Sequence, residues 1–61
     1  MFISYYDKKE QDIMRIKDVE EIAISLDYET GLLMLTYEIN SAYFSIKLPV
    51  TTSIVIGDEN D

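Results

Sequence analysis

The stretch "GLLMLTYEINSAYFSI", residues 31–46, holds two apolar runs broken only by Glu38-Ile39-Asn40-Ser41. A short chain with this much apolar surface in one place must also specify what covers it. Two turn signals fix how the segment folds. "DYETG" reads as a four-residue hairpin loop over residues 28–31, with Gly31 supplying the positive φ that closes it. Asp27, just before the loop, is placed to accept hydrogen bonds from turn amides. Asn40-Ser41 reads as a two-residue hairpin turn in which Asn40 tolerates the left-handed conformation.

These turns set a register. With Asp27 facing Leu32, Leu26 faces Leu33, Ile24 faces Leu35 and Ile22 faces Tyr37. With Ile39 facing Ala42, Tyr37 faces Phe44, Leu35 faces Ile46 and Leu33 faces Leu48. Residues facing one another across antiparallel strands point to the same side. One side of a three-stranded sheet therefore collects Ile22, Ile24, Leu26, Leu33, Leu35, Tyr37, Ile39, Ala42, Phe44, Ile46 and Leu48. The other collects Ala23, Ser25, Asp27, Leu32, Met34, Thr36, Glu38, Tyr43, Ser45 and Lys47. A slip of one residue in either hairpin would mix the two sets. The two turns, chosen separately, give the same sorting.

A fully apolar side needs a lid, and the flanking sequence must provide it. Pro49 cannot donate a ladder hydrogen bond and should end the third strand. "VTTSIVI", residues 50–56, has strong β propensity and reads as a further strand. At the other end "MFISYY" reads as a strand with Phe2, Ser4 and Tyr6 on one side and Ile3 and Tyr5 on the other. "DKKEQ" is its loop. "DIMRIKDVEE" has two readings: Ile13, Ile16, Val19 and Ala23 follow helical spacing, while residues 13–17 also fit a strand. β-Branched content and the abrupt "KDVEE" charge cluster favour the strand. Phe2, Tyr5, Ile13 and Ile16 are the expected cover. The expected class is mainly β: a small antiparallel meander of five to six strands, with one short N-terminal helix as the open alternative. Residues 1–56 form a single β domain, and residues 57–61 an acidic tail.

The chain has 61 residues, no cysteine and no histidine. A domain this small buries only about 60% of the surface its unfolded chain exposes. Neither a disulfide nor a thiolate or imidazole zinc site can supplement it. Sharing apolar strands between two subunits would remove sheet edges and enlarge the core together, so a homodimer is expected. Twelve Asp and Glu stand against five Lys and Arg, a net charge of −7. This balance disfavours direct binding to nucleic acid or to an acidic membrane, and it attracts a basic protein. No apolar run approaches the roughly 20 residues of a membrane helix. The N-terminal residues do not have the pattern of a secretory signal, which makes the cytoplasm the expected location.

Candidate chemistry is sparse. Hydroxyl residues lack a Gly-x-Ser-x-Gly setting, and Gly31 and Gly57 lie too far apart for a phosphate-binding loop. Glu20 and Glu21 are neighbours that point apart on a strand, which suits solvated surface charge better than an acid–base pair. "DEND", residues 58–61, offers oxygen ligands but lacks the glycine turn and closing glutamate of a calcium loop. No enzyme, metal or cofactor is expected. Tyr28, Glu29, Glu38 and Tyr43, with Glu20 and Glu21, are the candidate partner contacts, because tyrosine buries its ring while its hydroxyl stays wet.

In size and charge the chain resembles the short inhibitors that phages and mobile elements carry against host defence enzymes. That resemblance implies a non-catalytic binding protein that inhibits a larger basic, nucleic-acid-handling host protein. The alternative is a structural or accessory assembly subunit that oligomerises through its apolar strands.

Overall fold

The computed structural model describes residues 1–58. Among the described residues there are six strands: β1 (Phe2–Asp7), β2 (Asp12–Ile16), β3 (Glu21–Asp27), β4 (Leu32–Ile39), β5 (Ala42–Leu48) and β6 (Ile54–Gly57). They form two antiparallel three-stranded sheets, ordered β2-β1-β6 and β3-β4-β5.

The β3-β4-β5 sheet has the expected register throughout. Asp27 pairs with Leu32 and Ile22 with Tyr37, while Ile39 pairs with Ala42 and Leu33 with Leu48. The turns explain why. Gly31 takes φ 72°, and Asn40 and Ser41 take 50° and 66°. Two successive left-handed residues give the hairpin turn whose twist matches that of the flanking strands. In the first hairpin the Gly31 N–H donates to the Asp27 carbonyl at 2.8 Å, and the Glu29 N–H to Asp27 Oδ1 at 3.0 Å.

The β1-β2 hairpin uses the same device. Its Lys9 N–H donates to Asp7 Oδ1 at 2.8 Å, and Gln11 takes the left-handed φ of 54° that Gly31 takes in its counterpart. The sequence carries the echo, Asp7-x-x-x-Gln11 against Asp27-x-x-x-Gly31, but without the glycine it is easily passed over.

Three expectations need correction. The strands do not continue as one meander; the chain crosses between two sheets at residues 18–20. Asp18 adopts φ 61°. The Val19 N–H and C=O both pair with Met1, at 2.9 and 3.0 Å, and the next N–H, from Glu20, donates to the Glu38 carbonyl at 2.8 Å. Adjacent residues are thus tied to different sheets, and Val19 between them is only 3% exposed. The N-terminal third takes the favoured strand reading and not the helical alternative, since Asp12–Ile16 pairs with β1 over its whole length. The last strand begins at Ile54 rather than Val50, because the Thr52 N–H closes a turn onto the Pro49 carbonyl at 2.9 Å. It runs to Gly57. Residues 59–61 of the expected tail lie outside the described residues.

The third correction concerns the lid. Ile3, Tyr5 and Ile16, joined by Ile54, face the β3-β4-β5 sheet, whereas Phe2 and Ile13 lie on the far side of their own sheet. Pairing decides this: Tyr6 faces Ile13, so Ile13 must share the outward side with Tyr6. The core joins Ile3 and Tyr5 of one sheet to Leu35 and Leu48 of the other, with Val19 at the crossover. Burial raises the Tyr5 pKa, helped by the nearby Asp7 and Tyr37. Tyr37 and Phe44, facing each other, stack with centroids 5.4 Å apart.

Ile3 and Leu35 are both 0% exposed, whereas Ile13 is 65% exposed. Leu35→Ala should therefore cost about 2–5 kcal/mol, against less than ~0.5 kcal/mol for Ile13→Ala, by urea denaturation at low protein concentration. Gln11→Gly and Ser41→Gly should each raise stability by up to about 1 kcal/mol, since glycine relieves left-handed strain but adds freedom to the unfolded chain. Loss of stability in both glycine variants would contradict the turn assignment.

Candidate functional site

The outward side of the β3-β4-β5 sheet is arranged in rows across the strands: Glu21–Glu38–Tyr43, then Ala23–Thr36–Ser45, then Ser25–Met34–Lys47. Strand alternation places these side chains on the face away from the core. Polar groups pair along it. Thr36 Oγ1 lies 3.1 Å from Ser45 Oγ, and Lys47 Nζ lies 3.2 Å from Asp27 Oδ2. Asp27 is held below its ordinary pKa chiefly by the Glu29 N–H, and also by Lys47 and Thr30.

The opposite end of this sheet is acidic. Glu21 and Glu38 face each other directly, and Tyr43 lies on the other flank of Glu38 with 68% of its surface exposed. Glu20 joins them from the crossover, its Oε1 accepting the Asn40 N–H at 2.9 Å. The Glu38 pKa is raised, first by partial removal of water, then by the Glu21 and Glu20 carboxylates. Glu21, Glu38 and Tyr43, with Ile22, Ala23, Thr36 and Tyr37, line a shallow recess of about 80 Å³. Ligand pockets for drug-sized molecules run to roughly 300–1,000 Å³, so this recess fits one side-chain head rather than a metabolite. Among the described residues, no group of three or more carboxylates is disposed to hold a metal ion.

The six candidate contacts thus separate into two groups. Glu20, Glu21, Glu38 and Tyr43 converge at one end. Tyr28 and Glu29 occupy the tip of the β3-β4 loop, about 20 Å away along the strands at ~3.4 Å per residue. Tyr28 is 89% exposed. Glu29 contributes its backbone N–H to the Asp27 turn. The facing of Glu21 and Glu38 follows from the hairpin register and is visible in sequence. The clasp of Glu20 on Asn40 spans twenty positions and has no local signal.

Sequence reading also missed a cluster on the outward side of the β2-β1-β6 sheet. The Arg15 guanidinium lies 3.9 Å from the centroid of the Phe2 ring. Phe2 in turn covers Gly57, where an added Cβ would meet the ring at 2.5 Å. The pairing of Phe2 with Gly57 explains why glycine suits this strand: the ring takes the space a side chain would fill.

No helix among the described residues is long and apolar enough to cross a membrane. No protein family, curated protein or solved structure matches the chain.

The titration of Glu38 gives a signed prediction. A carboxyl whose folded pKa is raised opposes folding when charged, and this opposition is relieved as pH falls through the folded value toward the ordinary glutamate value of about 4.3. Asp27 acts in the other direction: its stabilisation is present above the ordinary aspartate value of about 3.9 and is lost as pH falls through its depressed one. The melting temperature should therefore rise as pH is lowered from neutrality toward about 4.3, then fall at more acid pH. Glu38→Gln should raise the melting temperature at pH ~7 and flatten the first limb. An unchanged first limb in that variant would exclude Glu38 as its source.

Proposed function

We propose that this protein is a small acidic, non-catalytic binding protein that inhibits a larger basic, nucleic-acid-handling protein by occupying its cationic surface. Phages and mobile elements carry short inhibitors of this general character against host defence enzymes. The carrying observation is the Glu21–Glu38–Tyr43 row, with Glu20 beside it. Three carboxylates stand at one end of a sheet whose strands contain a single cation, Lys47, engaged by Asp27 at the other end. Facing like charges weaken a sheet. A lysine or arginine from a partner would relieve that repulsion, and arginine can bridge two carboxylates with its planar fork. Tyr43 beside the row supplies the amphipathic ring that interfaces favour.

A second reading, an accessory subunit that oligomerises through its apolar strands, draws on a separate observation. Ile24, Leu26 and Phe44 belong to the inner face of their sheet yet remain exposed at its edges, so the two sheets do not seal each other.

The first reading is tested by capture from a lysate of the source organism, using the native chain and a Glu21→Lys/Glu38→Lys double variant. A basic protein should be retained by the native chain at low salt, be released at high salt, and bind the variant at least ~10-fold more weakly. If the same proteins are retained by both chains, or none is retained at low salt, the acidic row is not the binding surface.

A further inference from the structure

The β2-β1-β6 sheet carries apolar side chains on both sides. Its inner side holds Ile3, Tyr5, Met14, Ile16, Ile54 and Ile56, with Asp7 and Asp12 at the hairpin end. Its outer side carries Phe2, Tyr6, Ile13 and Val55, with Ser4, Gly57 and Arg15 between them. Tyr6, Ile13 and Val55 are all exposed there, and together with Ser4 and Ser53 they line an open trough. An outward sheet face bathed in water is normally polar, as it is in the other sheet. A sheet with apolar side chains on both sides is the pattern of a middle layer.

We infer that a second copy of this chain covers that outer side, the two β2-β1-β6 sheets stacking face to face with a β3-β4-β5 sheet outside each. The occupant is identified by charge. None of the strand residues on this outer side, among the described residues, is a carboxylate, although the chain holds twelve Asp and Glu. The β1-β2 hairpin and its flank, residues 1–18, are also balanced, with Asp7, Glu10, Asp12 and Asp18 against Lys8, Lys9, Arg15 and Lys17. Two molecules of net charge −7 repel, and at physiological salt that repulsion acts over only about 8 Å, so the charges near the contact decide it. Stacking on this side places one charged strand residue, Arg15, in the contact and no strand carboxylate, whereas stacking on the other sheet would bring Glu21, Asp27 and Glu38 into it.

Phe2 fills the space a Gly57 side chain would take, and the Arg15 guanidinium stacks over its ring. The contact is small. Three strands about 4.8 Å apart and ~20 Å long present roughly 300 Å² in projection per copy. A pair of such faces belongs to the weak interface class, below about 1,200 Å² in total. The dimer should therefore be a weak one, and a wide concentration range is needed to populate it.

This inference rests on the self-association reading and not on the acidic row. Sedimentation velocity from roughly 5 to 500 µM, at low and high salt, tests it, with heteronuclear NMR spectra across the same dilution series. The native chain should shift from monomer to dimer, and more readily at high salt, because salt screens like-charge repulsion. Amide signals of Tyr6, Ile13, Arg15 and Val55 should move with concentration. Ile13→Lys and Val55→Lys alter exposed side chains, and each should weaken the dimer at least ~10-fold with the spectrum of the folded monomer retained. Glu38→Gln should leave the dimer in place. A native chain that stays monomeric throughout overturns both the self-association reading and this surface. A dimer that persists in both lysine variants, with shifts at Ile24, Leu26 and Phe44, overturns the surface and keeps the self-association.

Discussion

Ile3 and Leu35, one on the middle strand of each sheet, are large side chains withdrawn entirely from water, and both sheets depend on their shared core. Neither sheet stands easily alone. Three strands with one apolar face lie at the threshold of independent stability. The crossover at Val19 and Glu20 sets how the sheets meet, with one residue bonded to Met1 and the next to Glu38. The return strand β6 then places Ile54 beside Tyr5 and completes the second sheet.

What could be read in advance follows from where local and long-range signals agree. The β3-β4-β5 register was legible because Gly31 and Asn40 mark turns whose consequences can be checked against alternation along three strands. The N-terminal third was less legible. Ile13, Ile16 and Val19 are spaced as on a helix, and β2 is so exposed that burial leaves no clear period in it. Its conformation follows from pairing with β1, a relation that its own residues do not announce. Val50 and Thr52 favour strand by composition, yet Pro49 removes a donor and the chain turns instead. The division into two sheets depends on single backbone bonds at Val19 and Glu20, which no periodicity encodes.

The candidate site divides in the same way. Glu21 facing Glu38 beside Tyr43 is a consequence of register and was accessible to sequence reasoning. That Tyr28 and Glu29 sit at the far end of the same strands follows from that register too, although composition alone groups them with the others. The roles of Glu20 as a clasp on Asn40 and of Arg15 on Phe2 arise only in three dimensions. The result is a molecule with two unlike outward faces. One carries carboxylates without a nearby cation on its own strands; the other presents apolar side chains and one arginine. Because these faces lie on opposite sheets, self-association through one leaves the other open to a basic partner. Salt should strengthen the first association and weaken the second.

The packing beneath both faces is most directly accessible through methyl contacts in solution, recorded on protein labelled at isoleucine, leucine and valine methyls at a concentration where it is monomeric. Nuclear Overhauser contacts from Ile3 to Leu35, and from Val19 to its neighbours in both sheets, are expected, with none from Ile13 to any residue of the β3-β4-β5 sheet. Contacts from Ile13 to Leu35, with Ile3 left in water, would contradict the two-sheet core and remove the basis for both outward faces.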